Sequence, residues 1–309
     1  MDNSFVTADT ISVNLIAVLV AVTEGDPRVL TVADASALPS GPLELGHGSL
    51  QAGLRAWVER QTHHPLGYVE QLYTFADRDR AGLTGQRVIG QRVISISYLG
   101  LTRERPAEAA SHPRWQSWYD MFPWEDWRAG LPPLHEAIGV RLAAWAAGAS
   151  GKIREARWQR AAITFGLDRV PWNEELILQR YELLYEAGLV PEAPDCADPV
   201  PGRSMMSDHR RILATGIARL RAKIKYRPVV FELMPDSFTL LQLQRCVEAI
   251  AGLRLHKQNF RRLIEQQELV EETGASANSG GRPAKLFRFR REVLAERAVV
   301  GTKLPLSRA

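Results

Sequence analysis

Between Phe238 and Phe289 the chain sets down a helix start, a basic amphipathic helix and a glycine-rich hairpin, and few folds accommodate that order. Phe238-Thr-Leu-Leu-Gln-Leu-Gln comes first, Lys257-Gln-Asn-Phe-Arg-Arg-Leu-Ile follows, and Gly281-Arg-Pro-Ala-Lys-Leu-Phe-Arg-Phe-Arg closes the run. A winged helix needs these parts in this sequence, one helix to lie in a DNA major groove and a wing to follow the backbone. The charge agrees. From Ser207 onward there are 20 Lys and Arg against 10 Asp and Glu, out of 39 and 35 in the whole chain, which leaves 19 basic and 25 acidic residues before it. A formal net charge of only +4 therefore hides a basic tail on an acidic body, the asymmetry a polyanionic partner selects.

The length of 309 residues predicts two domains, placed at 1–226 and 227–309. The apolar run Ile11 to Val22 is too short to span a bilayer, and no Lys or Arg precedes it, so it reads as a buried strand and no membrane partner is expected. Cys196 and Cys246 form neither a disulfide framework nor a zinc pattern, which fits a reducing cytoplasm. No repeat, Walker, Rossmann or zinc-site motif is present.

In the body, 11–22 and 29–32 read as strands joined by the turn Glu24-Gly-Asp-Pro27, and Gly67 to Phe75 and Val88 to Leu99 as two more. The last alternates around Val93, Ser95, Ser97 and Leu99, as a half-buried strand does. Ser49 to Gln61 reads as a helix capped by Ser49, with Leu50, Leu54, Trp57 and Val58 on one stripe. The predicted fold class is α+β, a mixed sheet packed against helices. Trp115, Trp118, Trp124 and Trp127 crowd into the fourteen residues from Arg114 to Trp127, as a hydrophobic plug, a subunit interface or an adenine-stacking wall would. Helices are expected at 133–147 and 172–188, a proline-rich loop at 191–202, and a long basic helix at 207–226.

In the tail, Thr239 caps a helix that Gly252 ends. On the next helix Phe260, Leu263 and Ile264 form a buried stripe, and Gln258, Arg261, Arg262 and Glu265 the opposite face. Arg suits guanine O6/N7, and Gln or Asn suits adenine N6/N7, so Lys257, Gln258, Asn259, Arg261 and Arg262 are the candidate DNA-binding residues of this helix. Leu269-Val270 and Leu286 to Phe289 read as wing strands, with the tip from Thr273 to Pro283. Arg282 and Lys285 are the wing's candidates, Arg282 for a narrow minor groove. A plain basic surface hairpin, or a dimer arm, fits the same composition.

The segment from Gly41 resembles the Nudix box, G-x(5)-E-x(7)-R-E-U-x-E-E-x-G-U with U a bulky apolar residue. Gly41, Arg55, Trp57 and Glu59 match, whereas His47, Ala56, Arg60 and Thr62 replace the first Glu, the Glu after Arg, the second Glu of the pair and the final Gly. In that family the glutamates hold Mg²⁺ and the catalytic water. A hard cation needs several carboxylate oxygens on one face, and Glu59 alone does not supply them. Arg60 in place of a carboxylate favours phosphate directly. No catalytic or metal residue is assigned here, and His47, Arg55, Glu59 and Arg60 are the candidate ligand-binding set. An exposed i,i+4 pair is the plainer account of Arg55 and Glu59.

Taken with Asp208-His-Arg-Arg-Ile-Leu, Arg219-Leu-Arg-Ala-Lys, Phe238-Thr-Leu, Asn259-Phe-Arg-Arg and Gly281-Arg-Pro-Ala, the chain resembles the Nudix-related transcriptional regulators of NAD metabolism. The likeness is good over 207–290, moderate over 11–100 and poor between 105 and 200, where an insertion is expected. Box and insertion point to the larger subgroup described as NAD regulators of alphaproteobacteria. The resemblance implies a degenerate Nudix-like fold followed by a winged helix-turn-helix, and a homodimeric repressor of NAD biosynthesis genes on a palindromic double-stranded operator. It implies a nucleotide effector (NAD, ATP or ADP-ribose), no required cofactor and no enzymatic activity. An active Nudix pyrophosphohydrolase with an accessory winged helix is the alternative. His256 stands where the family's recognition helix has an Asp cap, a weaker N-cap.

Overall fold

The structure, a computed structural model, describes residues 10–76, 91–104, 113–226, 229–277 and 283–290. β1 (Thr10–Thr23), β2 (Asp26–Thr31), β3 (Ser40–Pro42), β4 (Tyr68–Phe75), β5 (Gln91–Leu101) and β6 (Arg114–Ser117) form one sheet, ordered β4-β5-β1-β2-β6 with β3 also on β1. β1 and β5 pair in parallel and the other described pairings are antiparallel, which makes the sheet mixed as expected.

β1 is the central strand and is covered on both faces, which is why its sequence is apolar without alternation. Leu15, Ala17 and Leu19 pack with Leu54 and Val58 of α1 (Leu50–Thr62) on one face. Ile16, Val18 and Val20 face the larger core on the other, where Gly216 lets α6 (His209–Tyr226) close directly over Val18. β5 departs from the half-buried expectation, since Ser97 to Leu101 is buried throughout. Ser97 is tolerated there because its hydroxyl donates to the Tyr73 carbonyl (2.7 Å) and accepts from the Tyr73 amide (3.3 Å), beside an irregularity in β4. The expected strand residues 88–90 lie outside the described residues.

The stretch between sheet and tail contains α2 (Trp118–Met121), α3 (Leu134–Ala147), α4 (Gly151–Phe165) and α5 (Ile177–Glu186), the last preceded by a 3₁₀ turn at Glu174–Leu176. The sequence reading assigns no helix at 151–165. Only Ala161, Ala162, Thr164 and Phe165 of α4 are buried, all at its C-terminal end, so no apolar stripe announces it. The four tryptophans part company: Trp118 and Trp124 are wholly buried in the main core, as a plug would be. Trp115 sits near His64 on the α1 side, and Trp127 stacks on Trp172 at 4.4 Å.

In the tail, the 3₁₀ turn Val229–Leu233, α7 (Leu240–Ala251), α8 (Lys257–Gln266), β7 (Val270–Ala277) and β8 (Ala284–Phe289) make the winged helix. The hydrophobic cluster that begins on β1 continues through Trp118 and Trp124 into Val247, Ile250, Phe260 and Ile264, so the sheet's α6 side and the winged helix share one core.

Candidate nucleic-acid interface and box helix

Thr239 caps α7 by accepting from the Gln242 amide (3.2 Å), while Gln242 Oε1 accepts from the Thr239 amide (2.7 Å), a complete capping box. Gly252 ends the helix in the left-handed region at φ 72°. Phe238 pairs with Phe287 of the wing through both backbone hydrogen bonds (2.9 and 2.8 Å), and Phe231 and Phe238 pack on Phe289. Phe-Thr-Leu is thus a wing anchor, a cap and a core residue in succession.

On α8, Phe260 and Ile264 are buried and Leu263 half-buried, while Lys257, Gln258, Asn259, Arg261, Arg262 and Glu265 are all exposed. The structure therefore gathers the five predicted reading residues on the solvent side of one helix. His256 occupies the cap position with extended backbone but makes no side-chain cap.

The wing differs from its basic reading. Its strands reach further than expected, to Ala277 and from Ala284, and acids on β7 face cations on β8. Lys285 pairs with Glu272 (2.7 Å), Arg288 with Glu271 (2.7 Å), and Arg290 with Glu268 (3.0 Å). Arg282 lies outside the described residues, as do 278–281 of the predicted tip.

The long basic helix expected at 207–226 is present as α6, and its cations are paired with acids of the body. Arg210 pairs with Glu192, Arg211 with Glu182, Arg219 and Lys223 with Glu70, Arg221 with Glu125, and Lys225 with Glu174 and Glu175. Much of the body's acidic excess is the complement of this helix. Among the described residues of the tail, the cations without an ion pair are Arg245, Lys257, Arg261 and Arg262, three of them on α8.

The box helix is α1, capped by Ser49, whose hydroxyl accepts from the Ala52 amide at 3.1 Å. The Trp57 ring lies over Gly41 and its Nε1 donates to the Pro42 carbonyl (2.8 Å), so the first box residue and the bulky box position lock strand to helix. The four predicted ligand residues share this region without converging on one point. His47 rests against Gly53, its Nδ1 accepting from the Glu44 amide (3.1 Å). Arg55 turns to the loop after the helix and donates to the carbonyls of Leu66 and Gly67. Glu59 is exposed, and Arg60, also exposed, stacks on Trp57 at 4.4 Å. Glu70 of β4, the acid nearest the box in the next strand, is held on the opposite side of the sheet by Arg219 and Lys223 and so adds no carboxylate to the box.

Residues 230–289 match the family model of the NrtR DNA-binding winged helix domain. The ADPR-responsive transcriptional repressor NtrR of Acinetobacter baylyi is 44% identical over 82 residues, which is 26% of this chain and 33% of that protein. The match thus spans about one third of the relative's length. The structure of Shewanella oneidensis NrtR complexed with a 27mer DNA superposes with a TM-score of 0.55 at 17% identity, covering 94% of this chain and 99% of that one. A MutT/nudix family protein from Enterococcus faecalis gives a TM-score of 0.50 at 14% identity, over 91% and 87% of the two chains. Residues 230–289 are thus a winged helix of the NrtR type, and along nearly the whole chain the fold is similar to that of NrtR, a Nudix-type layer followed by a winged helix.

Proposed function

We propose that the protein is a ligand-responsive DNA-binding repressor of NAD biosynthesis genes, acting as a homodimer on a palindromic operator. The observation that carries this reading is the exposed face of α8, where Lys257, Arg261 and Arg262 keep free charge while the cations of α6 and the described wing are paired. Free guanidinium groups beside Gln258 and Asn259 provide both phosphate attraction and base-edge donors. One such helix reads only a few base pairs, so two copies on a dyad are required for a specific site. The boundary at 226/227 separates sensor from reader in this scheme.

The effector is a nucleotide met by the box helix, with His47, Arg55, Glu59 and Arg60 bordering it. Arg60 is the phosphate group's partner, since it is exposed and pairs with no described acid. Because the Acinetobacter relative is named for ADP-ribose, that molecule is the first candidate, before NAD and ATP. Hydrolysis is not expected: His47, Ala56 and Arg60 stand at box glutamate positions, and Glu70 is engaged across the sheet.

Three measurements on the full chain test this. A ligand that binds only the folded protein raises its melting temperature by mass action, and ADP-ribose should do so more than NAD or ATP. Sedimentation on a dyad-symmetric duplex should give two protomers per DNA. Incubation with ADP-ribose and Mg²⁺ should leave the nucleotide intact. Turnover abolished by Glu59→Gln would establish the hydrolase reading in its place.

A further inference from the structure

The carbonyls that close α7 are satisfied from outside the winged helix. In a free-standing helix-turn-helix the last-turn carbonyls turn to water. Here the Tyr119 hydroxyl donates to the Ala249 carbonyl (2.7 Å), Arg221 Nε to the Ile250 carbonyl (2.9 Å), and the Trp127 backbone N–H to the Gly252 carbonyl (2.8 Å). Arg254, just beyond the turn, donates to the Arg128 carbonyl (3.1 Å). Gly252 is pressed so closely on this seam that a Cβ there would lie 2.4 Å from the Glu125 carbonyl oxygen.

One of these donors, Arg221, is itself fixed in a buried ionic cluster. Glu125 accepts from Arg180 Nε (2.5 Å) and Nη2 (2.9 Å) and from Arg221 Nη1 (2.5 Å), and all three side chains are fully excluded from solvent. Arg221 Nη1 also reaches the Glu174 carbonyl (2.9 Å), and Arg180 the carbonyls of Thr164 and Asn173 (2.8 and 2.9 Å). A buried carboxylate shared by two guanidinium groups admits little displacement, since any movement strands a charge. The cluster therefore joins α5, α6 and the Trp-rich segment to the C-terminal end of α7, and the short turn after it leads straight into α8.

We propose that Tyr119, Glu125, Trp127 and Arg221 are positioning residues for operator binding. They touch no DNA, but they set the direction in which α8 leaves the body and so the distance between two α8 helices across a dyad. The inference rests on the reading of the protein as an operator-binding dimer. One inserted base pair moves a half-site by about 3.4 Å and a tenth of a turn, a change that a rigid seam cannot follow and a loosened one can.

The test uses the full chain and an operator selected by the wild-type protein from a random duplex pool, then remade with one base pair added or removed between half-sites. Wild type should lose about tenfold or more in affinity on each altered spacing. Tyr119→Phe removes one cap and keeps the ring. Arg221→Lys keeps the charge, but its ammonium reaches Glu125 or the Ile250 carbonyl and not both. Each should compress the spacing penalty to about threefold or less, with scrambled-duplex affinity unchanged. Amide exchange of the free protein should rise over 252–262 in both variants. An intact spacing penalty with uniformly weakened binding would show the seam to be merely structural and overturn the proposal. Unchanged exchange over 252–262 would overturn it too, and that arm decides even if wild type selects no duplex, the result that would sink the operator-binding reading instead.

Discussion

A methyl group on Gly41 would fall 2.1 Å from the Trp57 ring, so this glycine is required by contact and not by backbone angle. Gly41→Ala should cost about 1–3 kcal/mol by overpacking, seen as a lower urea midpoint with an unchanged slope. Arg261 and Arg262 belong to a different kind of residue, exposed and free of partners among the described residues. If α8 lies in a major groove, at least one of Arg261→Ala and Arg262→Ala should cost about 1–3 kcal/mol on operator and relax the preference at one symmetric pair of positions. Lys285→Ala should weaken operator and scrambled duplex alike. Lys285 is held by Glu272 in an exposed pair, which is worth about 0–1 kcal/mol, so phosphate displaces the acid with little opposition. Titrations at several salt concentrations separate the two classes, and equal proportional losses for all three variants would show α8 to be misassigned as the reading helix.

Among the elements, α8 was legible because Phe260, Leu263 and Ile264 recur at helical spacing and leave an all-polar opposite face. α7 was legible from Thr239 and Gly252, a cap and a stop that flank the helix at its two ends. β3 and β6 are too short, at 3 and 4 residues, to carry a period, and α4 has no apolar stripe. Charge misled most, because a cation's partner is set by tertiary contact: nothing local announces that Arg221 meets Glu125, or that Lys223 meets Glu70. The box helix could be placed from its spacing, but the turning of Arg55 to the loop carbonyls depends on residues eleven and twelve positions on. The start of α6 carries a pH prediction. His209 is buried, its Nδ1 accepts from the Leu38 amide (2.8 Å), and burial holds its pKa down at about 4 against an ordinary 6.5. Below pH 6.5 the unfolded chain takes up a proton that the native ring refuses, so stability falls as pH drops from about 6.5 to about 4. The loss should reach about 3 kcal/mol. Urea midpoints across that range should show it, and His209→Gln, which keeps an acceptor for Leu38 without a titrating ring, should flatten the limb.

For the molecule as a whole, the shared core predicts one cooperative transition. Tryptophan fluorescence, which reports Trp118 and Trp124, and far-ultraviolet dichroism should trace the same urea curve, whereas a separable reader would give two. On the proposed reading the sensing and DNA-reading parts then stand or fall together, and a nucleotide bound at the box helix stabilises both. The seam nevertheless leaves one freedom. It engages the C-terminal end of α7 and the turn beyond it, while the exposed face of α8 bears none of the seam's contacts. Substitutions at Gln258, Asn259, Arg261 or Arg262 therefore leave the docking untouched. On the operator-binding reading proposed above, the chain can follow a drifting promoter through α8 alone, keeping the fit between its parts while its address changes.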